Sequence, residues 1–239
     1  MKVKIGFVTL AMVFFVLFIN AKIYSDALFL SYTVDLKKQD LKLFWKDDKN
    51  QNFGSIENLK LILEKKGLEL DFAMNGGMYK QDNSPQGLYI ENQKILSPLD
   101  TTTATGNFYL KPNGVFYITT ENIPKICTTE KFTNDGKIKY ATQSGPMLVI
   151  DNEIHPAFKK GSMNVNIRNG VGILPNGKVL FVLSKKEINF YDFAKYFKDL
   201  GCRNALYLDG FVSRAYVPSE NWIQTDGNFG VLFAVTTKK

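Results

Sequence analysis

Cys202-Arg203-Asn204-Ala205-Leu206-Tyr207-Leu208-Asp209-Gly210-Phe211-Val212-Ser213 is the stretch around which the rest of the chain falls into place. Ala205 to Leu208 is an apolar run with the length of one buried strand. It stops at Asp209-Gly210, a turn pair, so the carboxylate stands at the rim of a sheet where the chain leaves room for a ligand. Ser213, Arg214 and Tyr216 add a hydroxyl, a fixed cation and a phenol within a few residues. Taken alone, the stretch is equally compatible with a surface turn carrying a solvated Asp.

The clearest helix delivers the chain into this strand. Asn189 is placed to cap it, Asp192 lies in its first turn, and Ile188 can staple onto Phe193. Phe190, Phe193, Ala194, Phe197 and Leu200 share one face, and Gly201 ends the helix. These aromatics are expected in the core, not around a cofactor. Upstream, Val171 to Leu174 and Val179 to Ser184 form a hairpin around Pro175-Asn176-Gly177-Lys178.

Further out, Ser55 caps a second helix running to about Lys66, with Leu59, Ile62 and Leu63 at helical spacing and Gly67 as its stop. Leu68 to Met74 is then a strand ending at Asn75-Gly76-Gly77-Met78-Tyr79. The two glycines permit close backbone approach, and their amides could cradle an anion; a plain tight turn is the alternative. Leu28 to Leu36 and Leu41 to Trp45 read as strands around the polar turn Lys37 to Asp40. Leu88 to Leu96 folds around Glu91-Asn92-Gln93, and Phe108 to Leu110 with Val115 to Ile118 flank Lys111 to Gly114 as another hairpin. Residues 121–139 are polar and expected to be irregular. Met147 to Ile150 turns back at Asp151-Asn152, and Val231 to Thr237 is the last strand. The expectation is one α+β domain over residues 22–239, with mixed, largely antiparallel sheets built from hairpins and about two packed helices.

From Ser162 to Arg168 the residues alternate. Met163, Val165 and Ile167 lie on one side, and Ser162, Asn164, Asn166 and Arg168 on the other. A solvated face in this Lys-rich chain would carry Lys or Glu. A neutral polar side ending in Arg168 points instead to a sugar-like or phosphate-like ligand.

Composition narrows the classes. With 45% hydrophobic residues, the 239-residue chain can bury a real core. The net charge of +7 comes mostly from scattered Lys without an arginine-rich block, so a nucleic-acid partner is not expected. Ile5 to Ile19 is charge-free behind Lys2 and Lys4, short for a membrane span and right for a signal-peptide core. Ile19 sits where cleavage wants a small residue. Residues 1–21 are therefore expected to be a signal peptide or a membrane anchor through residues 5–19, with the body exported, periplasmic or secreted. Cys127 and Cys202 can pair or stay as free buried thiols. One His and two Cys make no ordinary zinc site, and no cofactor is expected.

Asn75-Gly76-Gly77, Ser144-Gly145-Pro146, Ile167-Arg168-Asn169 leading into Val171-Gly172-Ile173, and Asn204 to Gly210 with Ser213 together resemble the phosphodiester glycosidase family. That family includes the lysosomal enzyme that removes N-acetylglucosamine from a phosphodiester on mannose, and many exported bacterial proteins. The resemblance runs from about Asp71 to Thr236. It implies that Asn75, Arg168, Asp209, Gly210 and Ser213 line the site. Gly76, Gly77, Ser144 and Asn166 join them as substrate-binding candidates. Phe211 and Val212 stand where the family commonly has glycines, and Ile167 where Pro is common, which bears on the shape of the pocket. His155-Pro156 looks like a feature of one bacterial branch.

The implied chemistry is hydrolysis of a sugar 1-phosphodiester. If the sugar C1–O bond breaks, the leaving group is a phosphate monoester whose second pKa is about 6, so it departs with little protonation. Asp209 would then stabilise or attack the oxocarbenium-like centre, and Arg168 would hold phosphate oxygens in a fork. Attack at phosphorus would assign the same residues differently. Two other readings use the same residues. One is a non-catalytic binder of envelope glycans. The other is a serine hydrolase with Ser144, His155 and Asp209, against which the G-x-S-x-G frame is absent.

Overall fold

The computed structural model describes residues 27–209 and 212–239. The expected leader over residues 1–21 lies outside them, as do Gly210 and Phe211. Every strand pairing among the described residues is antiparallel, and two α-helices, Ile56–Lys65 and Phe190–Asp199, accompany the sheets. The α+β expectation holds.

Three larger sheets carry the fold. A six-stranded sheet runs Phe29–Val34, Val179–Ser184, Asn169–Ile173, Ala205–Tyr207, Met147–Ile150, Glu153–Ile154 in spatial order. A five-stranded sheet runs Trp222–Ile223, Ala215–Val217, Leu68–Asn75, Leu232–Lys238, Asp40–Phe44. The third runs Lys94–Ser97, Tyr89–Glu91, Ile138–Ser144, Gly114–Thr119, Pro124–Thr128. Their inner faces supply one core containing Phe72, Met74, Phe116, Val171, Phe181, Leu206 and Phe233. The non-directional burial of such side chains is the main favourable term in folding.

Both helices form for local reasons and are held by packing. Ser55 Oγ accepts from Asn58 N at 3.1 Å, and Leu59 and Leu63 turn onto the outer face of the Leu68–Asn75 sheet. Asn189 Oδ1 accepts from Asp192 N at 2.9 Å, and Phe190, Phe193, Ala194 and Phe197 pack on the six-stranded sheet. Leu200 departs from the expected face and is 40% exposed, because the helix ends at Asp199 and Leu200 is already its cap.

Other departures are non-local. Phe29–Val34 and Asp40–Phe44 flank one turn but join different sheets, pairing with Val179–Ser184 and Leu232–Lys238. Asn107–Tyr109 is a 3₁₀ turn and not a hairpin arm, with the Phe108 carbonyl bonded by Asn113 Nδ2. Residues 121–139 are not wholly irregular: Pro124–Thr128 is an edge strand on Gly114–Thr119, with Pro in the first strand position, where its missing N–H costs no ladder bond.

Candidate active site

The strands bring their polar ends together at one end of the molecule. Asn75 closes Leu68–Asn75, Asn169 opens Asn169–Ile173, and Asp209 follows Ala205–Tyr207. Asn169 Nδ2 donates to the Asn75 side-chain oxygen at 2.9 Å and to its carbonyl at 3.0 Å. In turn the Asp209 amide donates to Asn169 Oδ1 at 2.8 Å, and the Arg214 amide donates to Asn75 Oδ1 at 3.0 Å. Asn75 is fully buried, and with its oxygen doubly occupied its Nδ2 has no partner among the described residues. Leaving such a donor unmet costs about 1–3 kcal/mol.

Asp209 is partly buried at the sheet rim, as its place after the strand predicts. Loss of surrounding water pushes its carboxyl up to about 7. Ser213 Oγ donates to the Asp209 carbonyl at 2.6 Å, so this hydroxyl shapes the loop. Ser144 Oγ donates to the Leu208 carbonyl at 2.6 Å and pins the strand end from the neighbouring sheet. His155 stacks on Phe158 and accepts the Ala157 amide at Nδ1, so no hydrogen bond joins it to Ser144. The serine-hydrolase arrangement is not formed.

Arg168 is 1% exposed, a deeply buried cation. Its guanidinium lies 3.6 Å from the centre of the Phe190 ring. Nε donates to the Ile188 carbonyl at 2.7 Å, and Nη2 to the Asn164 carbonyl and side-chain oxygens at 2.9 and 3.2 Å. Among the described residues, Nη1 reaches only the Tyr207 hydroxyl, at 3.4 Å. The Nε–Nη2 edge is thus occupied, and a fork onto two phosphate oxygens requires Asn164 to give way. Among the described residues no acid lies within ion-pair distance of this charge. Burial lowers its pKa. A buried charge without a counter-charge is costly, and an anionic ligand would supply the counter-charge.

The remaining expected residues fall less centrally. The Gly76 amide donates to the Val231 carbonyl at 2.7 Å and is not free to cradle an anion. Gly76 is still required, since a Cβ there would lie 2.9 Å from Phe233. At Gly77 a Cβ would stand 2.7 Å from Thr142 Oγ1, so the backbone runs close against the third sheet. Asn166 is partly exposed; its side chain donates to Asn164 Oδ1 at 3.4 Å, and its backbone pairs with Ile188.

Three residues join the site that the sequence did not single out as ligands: Asn169, Tyr207 and Tyr79. Tyr207 sits two residues before Asp209 on the same strand face, and its phenol touches Arg168 while also feeling the Asp209 charge. Burial, and secondarily the Asp209 charge, raise the Tyr79 phenol, so the loop after Gly77 senses the carboxyl's field. The strand period of two would have pointed to Tyr207.

A desolvated carboxyl, a buried cation without an acid and an open amide donor, gathered at strand ends of a layered α+β fold, suit a polar anionic ligand. A model of the phosphodiester glycosidase family matches residues 69–234, and the chain belongs to that family. It is 37% identical over 188 residues to the uncharacterized protein YigE of Escherichia coli K12, covering 78% of this chain and 73% of that one. The catalytic domain of zebrafish N-acetylglucosamine-1-phosphodiester alpha-N-acetylglucosaminidase, auto-inhibited by its pro-peptide, superposes with a TM-score of 0.56 at 13% identity, over 87% of this chain and 88% of that one. A hypothetical protein from Synechocystis gives 0.56 at 12% identity, over 88% of this chain and 59% of that one. At these identities the two structures share the fold.

Proposed function

We propose that this chain is an exported hydrolase that cleaves a sugar 1-phosphodiester in a glycan or envelope polymer, with Asp209 as the central carboxyl and Arg168 as the site's cation. The observation that carries this is the hydrogen-bonded line Asn75–Asn169–Asp209, which ends in an unpartnered Asn75 Nδ2. Membership of the phosphodiester glycosidase family supports it, as does the zebrafish enzyme's substrate class. Export rests on the basic, apolar start of the sequence.

The reaction follows from the leaving group. Water adds at the sugar carbon, the C1–O bond breaks, the electron pair leaves on the phosphate monoester, and the water's proton passes to that phosphate or to solvent. Asp209 faces the positive charge that develops at C1. Arg168, through its charge and its Nη1 side, stabilises the phosphate, and Asn75 Nδ2 donates to a sugar hydroxyl or a phosphate oxygen.

Asp209→Asn tests this. Turnover of a sugar 1-phosphodiester should fall by about 10³-fold or more while ligand binding persists. Full activity would remove Asp209 from the site. A wild-type chain that binds the ligand and never turns it over would be the glycan binder. Hydrolysis in oxygen-18 water should label the sugar, and label on phosphate would move the attack to phosphorus.

A further inference from the structure

The alternating segment Ser162 to Arg168 is amphipathic in the opposite sense to an ordinary surface strand. Its polar side is the more covered one at three of four positions: Ser162 and Asn166 are half-buried, Arg168 is buried, and exposed Asn164 reaches back to bond the Arg168 guanidinium. The apolar side turns outward, with Met163 88% exposed and Val165 38% exposed. Water does not select this arrangement, because strands beside solvent place the apolar set inward. Only Ile167, nearest Arg168, packs on the core.

The loop is built rather than loose. Phe158 at its root stacks on His155 and on Phe190. The Ser162 amide bonds the Lys159 carbonyl, and Val165–Asn166 pairs with Ile188–Asn189. Lys159 and Lys160 are exposed beside Met163, and Lys186 is exposed on the loop just before the paired strand; Glu187 is the one acid between Lys186 and that strand. Neither Lys159 nor Lys160 lies within ion-pair distance of an acid among the described residues.

We propose that the 159–165 loop docks on an anionic lipid surface, with Met163 and Val165 entering the headgroup region and Lys159, Lys160 and Lys186 meeting lipid phosphates. Two outward apolar side chains are too few for a stable protein interface, which takes roughly 800 Å² from each partner. A bilayer needs no matching shape, and basic residues beside a shallow apolar insertion are what such a surface attracts. Docking would present the Asn164–Arg168 side of the site to whatever the membrane carries. It is independent of the reaction proposed above.

The test uses the full chain with Met163→Trp, reconstituted with phosphatidylcholine vesicles or with vesicles also containing phosphatidylglycerol. The unsubstituted chain gives the Trp45 and Trp222 background. The added indole should shift to the blue and be quenched by bromine-labelled acyl chains in the anionic vesicles. Both signals should fade in high salt and with Lys159→Glu plus Lys160→Glu. Anchoring through residues 5–19 would survive reversal of Lys159 and Lys160, so the loss of both signals in that variant separates loop docking from anchoring. An indole that stays water-like in anionic vesicles would overturn the proposal. So would quenching that charge reversal leaves unchanged, or a shift without lipid that grows with protein concentration, which would mark a second copy of the chain.

Discussion

Burial raises the Asp209 carboxyl to about 7, and this has a consequence for stability as well as for chemistry. A folded-state pKa above the unfolded value near 3.9 means that between about pH 4 and 7 the native state holds a proton the unfolded state has lost. Stability therefore falls as pH rises through that window and levels off above it, the reverse of a salt-bridged Asp. Asp209→Asn removes the penalty. In urea melts the variant's margin over the wild type should be larger at pH 8 than at pH 5 by about 1 kcal/mol or more. Equal differences at both pH values would show that the carboxyl is solvated. In the wild type, hydrolysis should inflect near pH 7 if the ionised form works on C1.

At the scale of elements, the helix Phe190–Asp199 sits against a strip of bare backbone. Gly170 and Gly172 lie on the strand beneath it, where a Cβ at Gly172 would stand 2.7 Å from Phe197 and 2.8 Å from Cys202 Sγ. This close approach lets Phe190 reach over Arg168, so helix packing and site geometry are coupled. Gly172→Ala should cost about 1–3 kcal/mol, read as a lower urea midpoint, and should also weaken anion binding. An unchanged midpoint would show that the helix shifts freely. The helix was readable in advance because caps and a 3.6-residue period are local signals. The strand Pro124–Thr128 was not, because its partner at Gly114–Thr119 supplies the reason for it to be extended.

Across the whole molecule, the two thiols remain separate. Cys202 is buried with its pKa pushed up to about 12, and Cys127, on the edge strand of another sheet, is raised to about 11. Both are poor nucleophiles at neutral pH. Reducing agent should leave the melting temperature unchanged, and a thiol reagent should count two free groups after denaturation. One shared disulfide, detected as none, would contradict this packing.

The sequence by itself determined the α+β class, both helices with their caps, the strand ending at Asp209 and the family resemblance carried by Asn75, Arg168 and Asp209. All of these rest on neighbours within a few residues, where spacing and turn chemistry dictate the outcome. Only the tertiary structure decided which strand pairs with which. It also placed Asn169 between Asn75 and Asp209, gave Ser144 and the Gly76 amide to structural bonds, and turned Met163 outward while Asn164 covered Arg168. Apart from the Asn164–Arg168 contact, these bonds join groups between 40 and 155 residues apart, and a hydrogen bond at that separation exists only once the core has fixed both ends.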